Sequence, residues 1–182
     1  MSLQNYHALS LQKQNKMSPV MRMTTLCYLE RDGRYLMLHR TKKAVDDSHD
    51  KWIGVGGKFE PDESPEECML REVREETGLV VTRWRYHGIV TFVSDVAQSD
   101  YMHLFSATEW EGTLHPCDEG ELQWIPKDEL GCLNLWEGDR VFLYLMAQER
   151  PFFSLKLTYH GDLLVESVLD GVPIDADKYK IR

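Results

Sequence analysis

Residues 54–79 constrain this chain more tightly than any other stretch of it. Gly54, Gly56 and Gly57 crowd into a run ending at Lys58, although a strand interior disfavours glycine without a close backbone approach to justify it. Ser64 then offers a helix N-cap, Pro65 suits the first helical position, and Glu67 completes a capping box. The spacing predicts a helix over about residues 64–77, stopped at Gly78. At about 100° per residue, Met69, Leu70, Val73 and Thr77 gather on one side, while Glu72, Glu75 and Glu76 share an adjacent arc. Like charges at these spacings repel by a few tenths of a kcal/mol per pair. A solvated acidic face softened by Arg71 and Arg74 is one reading. The preceding glycines and Lys58 favour another, in which the carboxylates hold a hard divalent cation and the loop receives a metal-complexed pyrophosphate.

The surroundings supply a frame for that helix. Residues 23–30 and 35–39 read as a hairpin about Asp32-Gly33, and 41–50 as a polar loop. Four further strands are expected at 79–86, 89–94, 101–109 and 121–125, with a turn or short helix at 126–130. Asp139 is placed to cap a second helix running to Gln148, with Val141, Phe142, Leu145 and Met146 on its apolar face. Residues 152–158 and 163–169 then close the chain as a hairpin around His160-Gly161. Strands enclosing two helices predict a mixed sheet with a helix on each face.

With 182 residues the chain is long enough for one domain with a real core, expected over 19–182 behind a disordered leader at 1–18, where Met17 offers an alternative start. The formal net charge of −9 argues against nucleic-acid polymers and anionic membranes as partners. A small polyanion would need local cations to reverse that field. No apolar run approaches the roughly 20 residues that span a bilayer. Cys27, Cys68, Cys117 and Cys132 form no CxxC pair and no zinc-ligand spacing with a histidine, so reduced thiols in a cytoplasmic protein are expected.

The order Gly57, Glu63, Arg71-Glu72-Val73, Glu75-Glu76, Gly78-Leu79 matches every fixed position of the Nudix box, here residues 57–79. By these residues the chain resembles the Nudix hydrolases. The resemblance implies an α/β/α sandwich with a mixed β-sheet, and hydrolysis of a nucleoside diphosphate linked to another moiety. Carried over by position, Glu72, Glu75 and Glu76 resemble the metal ligands, one of them serving as base through water. The Gly57 carbonyl joins the shell, Arg71 orients the glutamates and Glu63 holds the loop. Mg²⁺ is the implied cofactor, with Mn²⁺ as a substitute.

Outside the box the chain is similar to the MutT-type branch that clears oxidised purine nucleoside triphosphates, which nominates 8-oxo-dGTP as a substrate. That likeness implies a base pocket built from Trp136, Asp139 and Phe152 or Phe153 and a fourth metal-binding carboxylate at Glu119, beside the phosphate contact that the glycine-rich loop already assigns to Lys58. Asp139 as a plain N-cap and Trp136 or the phenylalanines as core are the alternatives. One position departs from the vertebrate pattern: Ile53 stands where an asparagine would hydrogen-bond the purine. Hydrolysis of ADP-ribose, NADH or dinucleoside polyphosphates, or a silent nucleotide sensor, are the competing functions. The expected assembly is a monomer or homodimer.

Overall fold

The computed structural model describes residues 21–42 and 49–182, so the expected leader at 1–18 and most of the expected loop at 41–50 lie outside the described residues. Chain order gives β1 (Arg22–Arg31), β2 (Arg34–His39), β3 (Trp52–Ile53), α1 (Pro65–Thr77), β4 (Val80–Ser94), β5 (Asp100–Glu111), β6 (Glu121–Pro126), α2 (Glu137–Ala147), β7 (Phe153–His160), β8 (Leu163–Leu169) and β9 (Val172–Pro173). All nine strands join one mixed sheet in the order β3-β2-β1-β5-β4-β7-β8-β9, with β6 paired to β2. The β1–β5 and β4–β7 pairs are parallel and the others antiparallel.

Side chains alternate across a strand, and the two faces of this sheet receive different helices. Cys27, Leu29, Leu36 and Phe105 pack with Met69 and Val73 of α1. Tyr28, Met37, Leu104 and Leu155 pack with Val141, Phe142 and Leu145 of α2. The result is a helix–sheet–helix sandwich, the α/β class and fold that the Nudix resemblance implies. Among the described residues, no helix is long and apolar enough to cross a membrane.

Local chemistry fixes α1. The Ser64 hydroxyl accepts the Glu67 N–H at 3.2 Å, and the Glu67 carboxylate accepts the Ser64 N–H at 2.8 Å, closing the capping box. Gly78 ends the helix in the left-handed region at φ 76°, its N–H bonded to the Arg74 carbonyl.

Three expectations are corrected. The two strands expected at 79–86 and 89–94 form the single strand β4, whose register shifts near Val81, Arg83 and Gly88 absorb the irregularity as bulges. Asp139 is not the cap of α2: the cap position is Trp136, and Asp139 sits buried in the first turn. The Gly138 N–H that a capping side chain would otherwise meet donates to the Tyr159 hydroxyl at 2.7 Å. Finally, the 163–169 hairpin does not close the chain. Strand β9 pairs with β8, and the following tail returns to α2, where the Ile181 N–H meets the Arg140 carbonyl at 3.2 Å. The Arg140 guanidinium in turn grips the carbonyls of Gly131 and Leu133, fixing the approach to Trp136.

Gly138 lets the start of α2 lie directly on β7. An added Cβ there would stand 2.4 Å from Leu157 Cδ1 and 2.7 Å from the Tyr159 hydroxyl. Gly138→Ala is therefore expected to cost about 1–3 kcal/mol by overpacking, read as a lower denaturant midpoint at unchanged m-value. A midpoint equal to that of the wild type would show that this close approach is not a constraint.

Candidate active site

Arg71 organises the carboxylate end of the site. Its Nε donates to Glu63 Oε1 at 2.6 Å and one terminal nitrogen to Glu63 Oε2 at 2.9 Å and the Lys58 carbonyl at 3.0 Å. The other terminal nitrogen donates to Glu72 at 2.8 Å and Glu75 at 3.1 Å. These charge-assisted bonds hold the Glu63 carboxyl down at about 2, with the Arg71 guanidinium the largest cause. Glu75 lies mostly in solvent, whereas Glu72 and Glu76 turn inward.

The inward pair resists full ionisation. Burial, followed by the charges of Glu119 and Glu72, pushes Glu76 up to about 8 despite the Gly56 N–H donating to it at 3.1 Å. Glu72 is also raised, by burial first and then by Glu75 and Glu119. Glu119 thus joins the cluster from the loop before β6, where Arg40 holds it at 2.7 Å. A Cβ at Gly57 would stand 2.5 Å from the Glu72 carboxyl, so only glycine lets loop and carboxylate approach this closely. The Gly57 carbonyl accepts the Thr25 N–H at 2.8 Å and, at a long 4.0 Å, the Cys68 thiol, a weak donor that a stronger ligand could displace.

A cavity of about 280 Å³ begins at this end. Arg40, Gly56, Gly57 and Lys58 line its polar part. The sheet face under α2 supplies the remainder, through Ile53, Phe92, Met102, Leu157 and Tyr159, closed by Trp136 and Asp139. Trp136 meets Tyr159 edge to face at 5.6 Å. Asp139 is 7% exposed, and no side chain among the described residues hydrogen-bonds its carboxyl. Burial raises it to about 7 against the opposing charges of Lys51 and Arg140. A buried, unpartnered carboxyl on a cavity wall is suited to receive a donor from a ligand.

The family model for the NUDIX domain matches residues 21–146. The chain belongs to the Nudix hydrolase family. It is 32% identical over 124 residues to the oxidized purine nucleoside triphosphate hydrolase of Danio rerio, covering 67% of this chain and 79% of that one. It is 32% identical over 102 residues to the CTP pyrophosphohydrolase of Escherichia coli K12, covering 56% and 73%. Its structure is similar to that of the mutator MutT protein from Bacillus halodurans, with a TM-score of 0.73, 28% identity, and coverage of 84% and 100%.

Nudix hydrolases act on small-molecule nucleotides and generally use a divalent metal. In this Nudix chain the donor set fits such an ion: buried, mutually repelling carboxylate oxygens and a backbone carbonyl are hard ligands lacking a full complement of positive charge. The carboxylates are drawn to Arg71, Arg40 and the Gly56 amide, and no three acidic, histidine or cysteine side chains among the described residues already stand at ligand spacing.

The structure brings Ile53, Gly57, Lys58, Trp136 and Asp139 to one cavity, but not the phenylalanines. Phe152 precedes β7, is 58% exposed and packs on Tyr86 across the sheet from α2. Phe153 points to the α2 face but lies at the far end of β7, wholly within the core. Leu157 and Tyr159, on the same face and farther along the strand, take the place expected for them. Arg22, Arg40, Gln98 and Asp100 also line the cavity and were not anticipated. Pairing of β1 with β5 brings Arg22 to Asp100, and a local motif carries no signal for it.

The Asp139 carboxyl links stability to pH. Its folded pKa of about 7 exceeds the ordinary 3.8, so its ionisation opposes folding: stability is full below about pH 4 and falls as pH rises through 7. Asp139→Asn should remove that loss, so its melting temperature should gain on the wild type between pH 5 and pH 8. A difference that stays constant over this range would contradict the assignment.

Proposed function

We propose that this Nudix hydrolase cleaves a nucleoside triphosphate to the monophosphate and pyrophosphate with Mg²⁺, Mn²⁺ being a substitute, and that the nucleotide is a purine, 8-oxo-dGTP first among the candidates. The observation that carries this reading is one continuous cavity with two chemically different ends. Arg40, Gly56, Gly57 and Lys58 line one end, where Gly56 and Gly57 lie directly against the clustered carboxylates of Glu76 and Glu72, and an apolar recess closed by Trp136 and Asp139 lies at the other.

In this reading Glu72, Glu76, Glu119 and the Gly57 carbonyl hold the ion, with Glu75 at the outer edge. When bound, the ion neutralises phosphate oxygens and acidifies an attacking water. Arg40 and Lys58 meet the phosphates from the cavity wall, and Glu63 keeps Arg71, and through it the loop, in place. At the base end Trp136 offers an aromatic face, and Asp139 meets a donor on the base edge. Ile53 contributes an apolar wall with no amide to read that edge, so discrimination among bases is expected to be shallow. The same observation favours one second reading, a pyrimidine nucleotide, toward which the similarity to a CTP pyrophosphohydrolase also points. Four free cysteines suit the reducing cytoplasm, where we place the protein.

A panel of purine and pyrimidine triphosphates, 8-oxo-dGTP included, tests both readings by kcat/KM and by ³¹P spectra of the products. Pyrophosphate and a monophosphate are expected, with turnover abolished by EDTA and restored by Mg²⁺. Stacking on an aromatic side chain is worth about 1–3 kcal/mol, so Trp136→Ala should raise KM about 5- to 100-fold with a smaller change in kcat. Release of orthophosphate would overturn the proposed bond cleavage. Turnover of ADP-ribose or NADH in place of every triphosphate would overturn the substrate class.

A further inference from the structure

We propose that Lys51 is a positioning residue for the base end of the cavity: from outside, its ammonium group braces the Trp136 wall. The proposal rests on the reading that the Trp136 and Asp139 walls receive the base. Lys51 does not line the cavity. Its Nζ lies 4.7 Å from the centroid of the Trp136 ring and donates to Asn134 Oδ1 at 2.9 Å.

The geometry around it is fixed from several directions. Asn134 Nδ2 donates to the Asp50 carbonyl at 2.9 Å, and the Trp52 N–H donates to the Asn134 carbonyl at 3.0 Å. The Arg40 N–H meets the Lys51 carbonyl at 3.0 Å. The segment entering β3 is thereby tied to the segment entering α2, and Lys51 spans the junction. A cation over an indole face is attracted by the ring quadrupole, which restrains the ring without blocking the cavity.

The same charge reaches Asp139. The groups that act on this carboxyl are Lys51 from the segment before β3 and Arg140 from its own helix, both favouring the anion. The phenols of Tyr28 from β1 and Tyr159 from β7 also couple to it. Arg140 is held by the carbonyls of Gly131 and Leu133, whereas Lys51 stands over the aromatic wall and its charge also acts on the acidic one. A side chain outside the cavity would in this way tune how the base is held.

The test compares Lys51→Met, Lys51→Gln and Lys51→Arg with the wild type, using dGTP and 8-oxo-dGTP as probes. Glutamine keeps a donor for Asn134 without the charge; arginine keeps the charge. Both uncharged variants should raise KM about 3- to 10-fold with kcat changed less than about twofold, and arginine should restore most of the loss. Independently of substrate, NMR titration of ¹³C-carboxyl-labelled aspartate, assigned with Asp139→Asn, should show the Asp139 midpoint moving to higher pH in the uncharged variants and back with arginine. Wild-type KM and an unmoved midpoint in both uncharged variants, alongside a raised KM in Trp136→Ala, would overturn the role of Lys51 and leave the base site standing. An unchanged KM in Trp136→Ala would remove the base site, and the proposal with it.

Discussion

Arg71 lies on the side of α1 that faces the loop preceding it, and its fork of donors joins three carboxylates and a backbone carbonyl. Arginine suits this position because five fixed N–H groups can meet acceptors from two segments together, which a lysine ammonium cannot do with the same geometry. Through Glu63 and the Lys58 carbonyl, the loop is anchored to the helix. Through Glu72, the helix carboxylate is aimed at Gly57. The close contact at Gly57 and the inward turn of Glu72 depend on this anchor, while the Gly56 N–H holds Glu76 and Arg40 holds Glu119. Burying so much like charge is costly, and the raised affinity of Glu76 for a proton expresses that cost. Arg71 at Glu72, and the Gly56 N–H with Arg40 at Glu76, only partly offset the repulsion, which a hard cation would relieve.

The second constraint is the sheet. Its parallel β1–β5 and β4–β7 pairs bring the first strand, the middle strands and the late strand β7 to a common end. The strand ends there contribute Leu26, Phe92, Met102, Leu157 and Tyr159, and the start of α2 closes over them because Gly138 permits contact with β7. At this cavity Arg22 is paired with Asp100 and Arg40 with Glu119, so within an overall charge of −9 an anionic substrate depends on Lys58, the loop amides and a bound cation to reverse the field locally.

What the sequence discloses here follows the range of the interactions. The capping box, Gly78 and the arc of glutamates are local, and they are legible from spacings of three and four residues. The network Arg71–Glu63 is legible only through the family resemblance, since eight residues separate the partners and a loop intervenes. The base end is hardest. The choice between Phe152, Phe153 and Tyr159 depends on where along β7 the cavity falls, and that is set by pairing to β4, far away in sequence. The start of α2 misleads for a similar reason: Asp139 looks like a cap, but Tyr159 supplies the tertiary bond to the first turn and releases the carboxyl to the cavity.

The account stands on the clustered carboxylates being a cation site, so the most direct measurement is calorimetric titration of Mn²⁺ into the nucleotide-free protein and into its Glu76→Gln variant. A hydrogen-exchange or melting check would show both to be folded. The account predicts a saturable site in the wild type and at least about tenfold weaker binding in the variant, because a hard cation loses a charged oxygen ligand. Equal affinity in the two proteins, or no binding in the wild type, would contradict it.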